Sequence, residues 1–412
     1  MRHRHTVEVT TARKMILEDV QSGLKERMSL KDAIGRYVAQ PIVATHDVPS
    51  FHRSPYDGYA IVAEDTDAAN DKNPVYLPEV DIIYAGDTMK RTLKRGHSMR
   101  VMTGAAIPDG ANAVIPLELV TCSLQDGKPT MQVKRKIKMG TNISYAGEDI
   151  QSGSLLIEKG KKIDAGMMAI CATFGYDQVT VYRKPKVGIL CSGSELLPIE
   201  APLQHGMIRN SNAYMLMGQI QRVGAEPVLF PVVQDDREET YHRIANAIEE
   251  VDILITTGGA SIGDRDYIPA ILNDLEYTCL FDKVAMRPGS VTTAAKKGCK
   301  YIFALSGNPS ACYVGFELFV QPLIMACYGI KQQAELALQS AILSHDIVQK
   351  HPFTRFIRAK TYIADATCMI QTIGLDKSGS LSSLLEANAL LVVERGSPTL
   401  LAGDKLNYIA LT

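Results

Sequence analysis

Between Lys186 and Ile330, short apolar runs alternate with segments whose apolar residues recur at helical spacing. KVGILC is followed by NSNAYMLMGQIQRVG, EPVLFPVV, REETYHRIANAIEE, DILIT, DYIPAILNDL, YIFAL and PSACYVGFELFVQPLIMA. Runs too short for helices, separated by segments of 3.6-residue period, predict strand–helix–strand crossovers. Such crossovers are right-handed and build a mainly parallel sheet with helices on both faces, a three-layer α/β domain. The flanking regions have another rhythm. From about Pro41 to Ile163, pieces such as QPIVAT, GYAIV, VDIIYAG, NAVIPLELV and TMQVKRKIK are broken by Gly, Pro, Asn and Asp, which predicts β-rich modules. An amphipathic helix is expected before them, at roughly Thr11 to Lys25. After Lys331 the strand pattern returns in ILSHDIVQK, RFIRAKTYIA, TCMIQTIG, ALLVVERG and KLNYIALT.

The chain has 412 residues, 46% hydrophobic, so it holds material for two to four domains. With Lys+Arg 44 against Asp+Glu 45, it carries no overall field to gather nucleic acid or an anionic membrane, and any anion must be caught locally. The eight cysteines form no CxxC pair and several lie inside apolar runs, which points to a reducing, cytoplasmic setting rather than to structural zinc or a disulfide framework. The start MRHRHTVEVT lacks the apolar stretch of a secretory signal. FELFVQPLIMACYGI, the most apolar long segment, is interrupted by Glu317, Gln321 and Pro322, so no membrane span is expected.

In an open parallel sheet, ligands bind beyond the carboxyl ends of the strands. The residues at those ends are SGSE (Ser192–Glu195, with Gly193), QDD (Gln234–Asp236), TTGGASIGDRD (Thr256–Asp266) and SGNPS (Ser306–Ser310, with Gly307 and Asn308). Four strand ends thus converge on Gly, Ser and carboxylates, a composition that suits a phosphate held by backbone N–H groups beside a divalent cation. Gly258 and Gly263 have Walker A spacing, but Asp264 and Arg265 stand where Lys and Ser/Thr belong. Ala260 likewise breaks the dinucleotide pattern. The loop, with Gly258, Gly259, Ser261 and Gly263, is either a distinct phosphate corner or a turn whose glycines only permit positive φ.

Glu195, Asp235, Asp236 and Asp266 are the candidate Mg²⁺ ligands, since Mg²⁺ takes one or two carboxylates plus water and ligand phosphates. Asp236 and Asp266 also sit at expected helix starts, where Asp caps. RPGS, Arg287 to Ser290, offers a guanidinium to an oxyanion. The basic run Lys134 to Lys138 alternates like the wet face of a strand. Cys191 ends a strand without a positioned base and is not read as a nucleophile.

Taken in order, these segments resemble the MoeA family, relatives of the gephyrin E domain. The resemblance rests on SPYDGYAI (Ser54–Ile61), RVMTGAAIPDGANAVIPLE (Arg100–Glu118), AGEDIQSG (Ala146–Gly153), CSGSEL, IRNSNAYML, DILITTGGASIGDRDYI, MRPGS, LSGNPSA and SGSLSSLLEANALLVVERG. It implies four domains: a discontinuous linker or dimerisation domain (1–50 and 140–183), a β-rich domain with DGYA (51–139), an α/β molybdopterin-binding domain (184–332) and a C-terminal β-barrel-like domain (333–412). It also implies an elongated homodimer with its active cleft between subunits. The expected reaction joins adenylylated molybdopterin and molybdate to give molybdenum cofactor and AMP with Mg²⁺. Transient contact with the adenylyltransferase that supplies the substrate and with downstream molybdoenzymes follows.

By motif position, the resemblance carries functional roles to Asp57 of DGYA, Thr103 of MTGA and Asp149 of GED on the partner-contributed side. It carries them to Glu195, Asp235 or Asp236, and Asp266 in the α/β domain, to Arg287 and Ser290 in the basic turn, and to Ser378 in the tail. Ser290 and Val291 stand for the lysine and second proline of PGKP, Ser144 for an arginine before GED, Ser194 for the aspartate of TGDEL and Ser306 for the first proline of LPGNP. Two positive charges are therefore missing where anions should bind. The alternative functions are a molybdopterin adenylyltransferase, which shares the α/β domain, and a non-catalytic assembly protein like gephyrin.

Overall fold

The computed structural model describes residues 6–258, 267–330, 335–348 and 351–411. The chain forms two compact units, one drawn from residues 1–39, 159–164 and 178–412, the other from 40–158 and 165–177.

The α/β region of the first unit has the sheet order Glu226–Leu229, Lys186–Cys191, Ile253–Thr257, Lys300–Leu305, Thr293–Lys297, Thr278–Phe281. The first four strands are mutually parallel, and the last two join antiparallel. These two antiparallel strands had no clear sequence signature, because TCLF and TAAKK are short and weakly apolar. Strand periodicity buries both faces of the sheet. Val187, Ile189, Ile253, Ile255, Phe303 and Leu305 face one core with helix Ser211–Arg222 and the long helix from Pro309. Leu190, Leu254, Ile302 and Ala304 face a second core with helices Arg237–Glu250 and Ile268–Asp274. The expected three layers result.

The long apolar segment Pro309–Cys327 is the one helix among the described residues long and apolar enough to cross a membrane, and 72% of its most apolar window is buried within the protein. A π-helical stretch, Phe316–Val320, interrupts it just before Pro322. Proline has no N–H to offer the carbonyl four residues earlier, here that of Leu318. Arg13 supplies a donor instead, its Nη1 lying 2.8 Å from Leu318 O. Arg13 is buried on helix Val9–Leu17, whose Val9, Ala12 and Ile16 enter the same core. This helix ends well short of the expected Lys25. Asp19 takes a positive φ of 58°, and Lys25–Ser29 turns into a strand paired with Gln178–Tyr182.

The tail of this unit forms a closed five-strand barrel. Thr354–Ala364, Thr367–Thr372, Gln339–Leu343, Lys405–Ala410 and Ala389–Val393 follow in order, and the first pairs with the last. The strand expected at ILSHDIVQK lies earlier, since pairing stops at Leu343.

The second unit is β-rich. Its six-stranded sheet runs Ala113–Pro116, Gly58–Ile61, Ser98–Val101, Val75–Ile83, Lys128–Val133, Thr121–Gln125. Tyr59 and Ile61 bury on one face, Ala60 and Val62 on the other. The basic run leaves the sheet at Val133: Ile137 is buried, Lys136 pairs with Asp67 at 2.8 Å, and the other cations face water. Its alternation came from this single anchor, not from a strand.

Replacing Arg13 by Met would keep the apolar stem while leaving the Leu318 carbonyl without that donor. The expected loss is about 1–2 kcal/mol, because an unpaired buried acceptor costs more than the hydrogen bond itself gains. Burial, which pushes the Arg13 pKa down to about 10, limits the loss from the other side. Urea denaturation of the two chains measures it, and an unchanged midpoint would show that the carbonyl does not depend on Arg13.

Candidate active site

The parallel strands bring their carboxyl ends to one edge, and the chain reverses its direction of sheet growth between Lys186–Cys191 and Ile253–Thr257. That switch point opens a crevice above the sheet. The two loops leaving it meet directly. Ser192 N donates to Thr257 O at 2.8 Å, and Gly193 N to Val233 O at 3.1 Å. Gly258 has φ +89°, and a Cβ there would lie 2.1 Å from Ser192 O, so only glycine fits. On its other side Gly307 packs closely, its own hypothetical Cβ 3.6 Å from Gly258 Cα. Gly259, Ser261, Gly263 and Asp266 lie outside the described residues, so the corner is defined here by Ser192, Gly258 and Gly307.

Carboxylates gather at the Gly193–Glu195 turn. Gly193 has φ +150°, and a Cβ would come within 2.6 Å of Glu195 Oε2, so the carboxylate folds back over the glycine. Ser194 Oγ donates to Asp235 Oδ2 at 2.9 Å. Asp236 is committed elsewhere: it is the N-cap of Arg237–Glu250, with Oδ1 accepting from Glu239 N at 2.8 Å. Of the two neighbouring aspartates, Asp236 thus caps a helix, while Asp235 accepts from Ser194 at the turn that carries Glu195. Among the described residues, no group of three or more His, Cys, Asp or Glu side chains is arranged to share a metal ion. Cys191 is buried beneath this turn, and burial raises its thiol pKa, so it is no thiolate.

The SGNPS loop is held from two directions. Asn212 Nδ2 donates to Gly307 O at 2.8 Å, and Ser306 Oγ accepts from Asn308 N at 3.2 Å. From the barrel, the carbonyl of Ser378 accepts from Ser310 N at 3.0 Å, and that of Ser380 accepts from Ser310 Oγ at 2.6 Å. The barrel loop is itself fixed by Arg358, fully buried, which donates to Asp376 Oδ1 at 3.3 Å, Ser383 Oγ at 3.2 Å, and the carbonyls of Leu375 and Lys377. Arg355 pairs with the same Asp376. Ser378 thus sits at the site through its backbone, with its side chain exposed. In the RPGS turn Ser290 O accepts from Val284 N at 2.8 Å, and the exposed Arg287 places Nη1 2.9 Å from His351 Nε2.

The sequence reading missed Asn212, Arg358, Asp376 and His351. In NSNAY, Asn210 caps the helix by accepting from Ala213 N at 3.2 Å, and nothing in the pattern marked Asn212 as a loop tether. Arg358 is a fully buried strand residue on the face opposite Ile357 and Ala359 of the barrel core, where an arginine reads as an exception to the pattern rather than as a fastener.

In the β-rich unit, Asp57 and Thr103 come together. Thr103 donates to Asp57 Oδ1 through both its N–H, at 2.7 Å, and its hydroxyl, at 2.8 Å. The N–H bond first, then the hydroxyl bond, hold the Asp57 pKa below the usual carboxylate range, so Asp57 is an acceptor and anion at neutral pH, not a proton donor. The next residue, Gly58, is fixed by close approach: a Cβ would lie 2.3 Å from Ile115 O. Asp149 is exposed, and its N–H donates to Val48 O at 3.1 Å. Ser144, in place of the expected arginine, donates to Glu148, which lowers the Glu148 pKa together with Tyr145 N–H.

Three regions match known protein families in order along the chain. Residues 7–175 match the MoeA N-terminal region (domain I and II), 188–326 a probable molybdopterin binding domain, and 340–411 the MoeA C-terminal region (domain IV). A molybdopterin molybdenumtransferase of Bacillus subtilis is 43% identical over 394 residues, 96% of this chain and 91% of the relative. One from Staphylococcus epidermidis is 38% identical over 406 residues, 98% and 96% of the two chains. Among solved structures, a molybdopterin biosynthesis MoeA protein from Pyrococcus horikosii superposes with a TM-score of 0.86 at 27% identity, covering 99% of this chain and 100% of that one. With its three regions matched in order and its full-length relatives this similar, the chain belongs to the MoeA family.

Proposed function

We propose that this chain is a molybdopterin molybdenumtransferase, an enzyme that inserts molybdenum from molybdate into adenylylated molybdopterin and releases AMP. The observation that carries the reading is the layout of the strand-end loops. Sheet order puts Glu195 and Asp235 at one side, the Gly258–Gly307 corner in the middle, and the hydroxyl-rich SGNPS and barrel loops at the other. A pyrophosphate-linked nucleotide needs backbone approach at its phosphates, and glycine corners at a switch point provide it. Molybdate, a tetrahedral dianion and here a substrate, needs a cation away from those carboxylates, and Arg287 is exposed on a separate turn. Its sulfur ligands come from the substrate dithiolene, so no protein cysteine is required.

The carboxylates fit Mg²⁺, which uses one or two such ligands with water and phosphate oxygens. Glu195 and Asp235 would hold it, with Asp266 as a further candidate by motif. A bound Mg²⁺ would polarise the phosphoryl group. The protein's own part is to seat the phosphates on the glycine corner, present Glu195 and Asp235 beside it, and hold the barrel loop against Ser310. Family resemblance also supports a homodimer in which the partner contributes Asp57, Thr103 and Asp149 to a shared cleft.

Supplying adenylylated molybdopterin, Mg²⁺ and molybdate to the purified chain should release AMP in a molybdate-dependent manner, with stoichiometric formation of cofactor. A folded dimer without such turnover would contradict the reading and favour an assembly role. ATP-dependent adenylylation of molybdopterin would favour the adenylyltransferase. Asp57→Ala and Glu195→Ala should each slow turnover about tenfold or more while dimer mass, measured by light scattering, stays unchanged. Normal rates in either would remove that residue from the site.

A further inference from the structure

Arg287 lies in an unusual setting for a residue that must meet an anion. Met286–Arg287 pairs in parallel with the start of barrel strand Thr354–Ala364, placing Arg287 in register with Arg355. Two guanidinium groups on adjacent strands repel, and Arg355 is tied to Asp376, which also binds Arg358. Arg287 is left exposed, and its Nη1 meets the imidazole of His351 at 2.9 Å. The backbone of His351 is itself anchored, its carbonyl accepting from Gly396 N at 3.1 Å. Nearby charges are engaged elsewhere: Glu394 accepts from Thr354 Oγ1 at 3.3 Å, and Arg395 faces Glu8 at 3.6 Å.

Arginine only donates, so this contact needs a lone pair on His351 Nε2. On its other side, Nδ1 faces Phe353 N–H at 3.2 Å. A neutral ring has one nitrogen lone pair: given to Arg287 at 2.9 Å, it leaves the proton on Nδ1 and forgoes the longer Phe353 contact, and a doubly protonated ring accepts from neither. We propose that neutral His351 is a positioning residue for the molybdate step: it accepts from Arg287 and aims that guanidinium toward the incoming oxyanion. In this chain Ser290 replaces the lysine of the related PGKP turn, so Arg287 is the cation that the turn offers, and its orientation matters more. The inference rests on the reading above that Arg287 meets molybdate. Burial, followed by the Arg287 charge and more weakly that of Arg355, lowers the His351 pKa against smaller opposing effects of a Phe353 backbone hydrogen bond and Asp376. The contact is therefore present at neutral pH and is lost as pH falls through that lowered value.

The test uses the full-length protein and molybdate alone as probe, by calorimetry at pH 7.5, with steady-state kinetics alongside. H351L should weaken molybdate binding and raise its KM about five- to tenfold, with kcat little changed. H351Q, whose amide oxygen can accept from Arg287, should restore both to within about twofold. In an NMR titration the His351 ring should protonate below the ordinary histidine range in the native chain and higher in R287Q. If H351L binds molybdate normally while R287Q does not, His351 has no such role and the proposed activity stands without it. A His351 midpoint unmoved by R287Q would also overturn the inference. A native chain that binds no molybdate would remove both the inference and the proposed activity.

Discussion

The site depends on one close approach: the Gly258 backbone against the Ser192 carbonyl. No residue with a Cβ can stand there, because that atom would lie 2.1 Å from a backbone oxygen. The constraint holds the loops of two adjacent parallel strands together at the switch point of the sheet. Gly307 closes on the opposite side of Gly258 and brings in the loop of the next strand. Three separate turns thereby become one surface of backbone, and a surface without side chains is what a phosphate group can reach.

Sheet order then sorts the chemistry. The strands preceding Glu195 and Asp235 are neighbours at one edge of the parallel set, so the carboxylates fall together. The strand preceding Ser306 lies on the other side of Gly258, and its loop meets the barrel through Ser310. The barrel loop could not keep this contact as a free excursion from Thr372 to Ala389. Arg358 orders it, and removing such a buried guanidinium would leave two carbonyls without that donor and Asp376 with Arg355 alone. A cation is thus spent on architecture, while Arg287 stays exposed. The separation of positive from negative groups follows from topology rather than from any single motif.

Much of this was legible in the sequence. The alternation of VGILC, DILIT and YIFAL with helical segments specified the parallel strands, and the strand-end rule located Ser192, Gly258 and Ser306 before any coordinates. Asp57 of DGYA and Thr103 of MTGA, picked out by motif, lie in hydrogen-bond contact, which the motifs themselves did not indicate. Fastenings made across long sequence distances were not legible. Arg13 meets Leu318, Asn212 meets Gly307, and Arg287 meets His351, each through a side chain whose local pattern allows many partners. Local competition was legible at one position: Asp236 was expected to cap the helix that follows it, and its Oδ1 does accept from Glu239 N. The two short antiparallel strands and the early end of the first helix were missed because tertiary pairing decided them, not periodicity.

The most direct test of the central claim is a crystal structure of the chain with adenylylated molybdopterin and molybdate. The account predicts the pyrophosphate against the backbone of Gly258 and Gly307, with Glu195 and Asp235 on its carboxylate side and the oxyanion at Arg287. A nucleotide seated away from the carboxyl ends of the parallel strands, with the glycine corner left untouched, would contradict it.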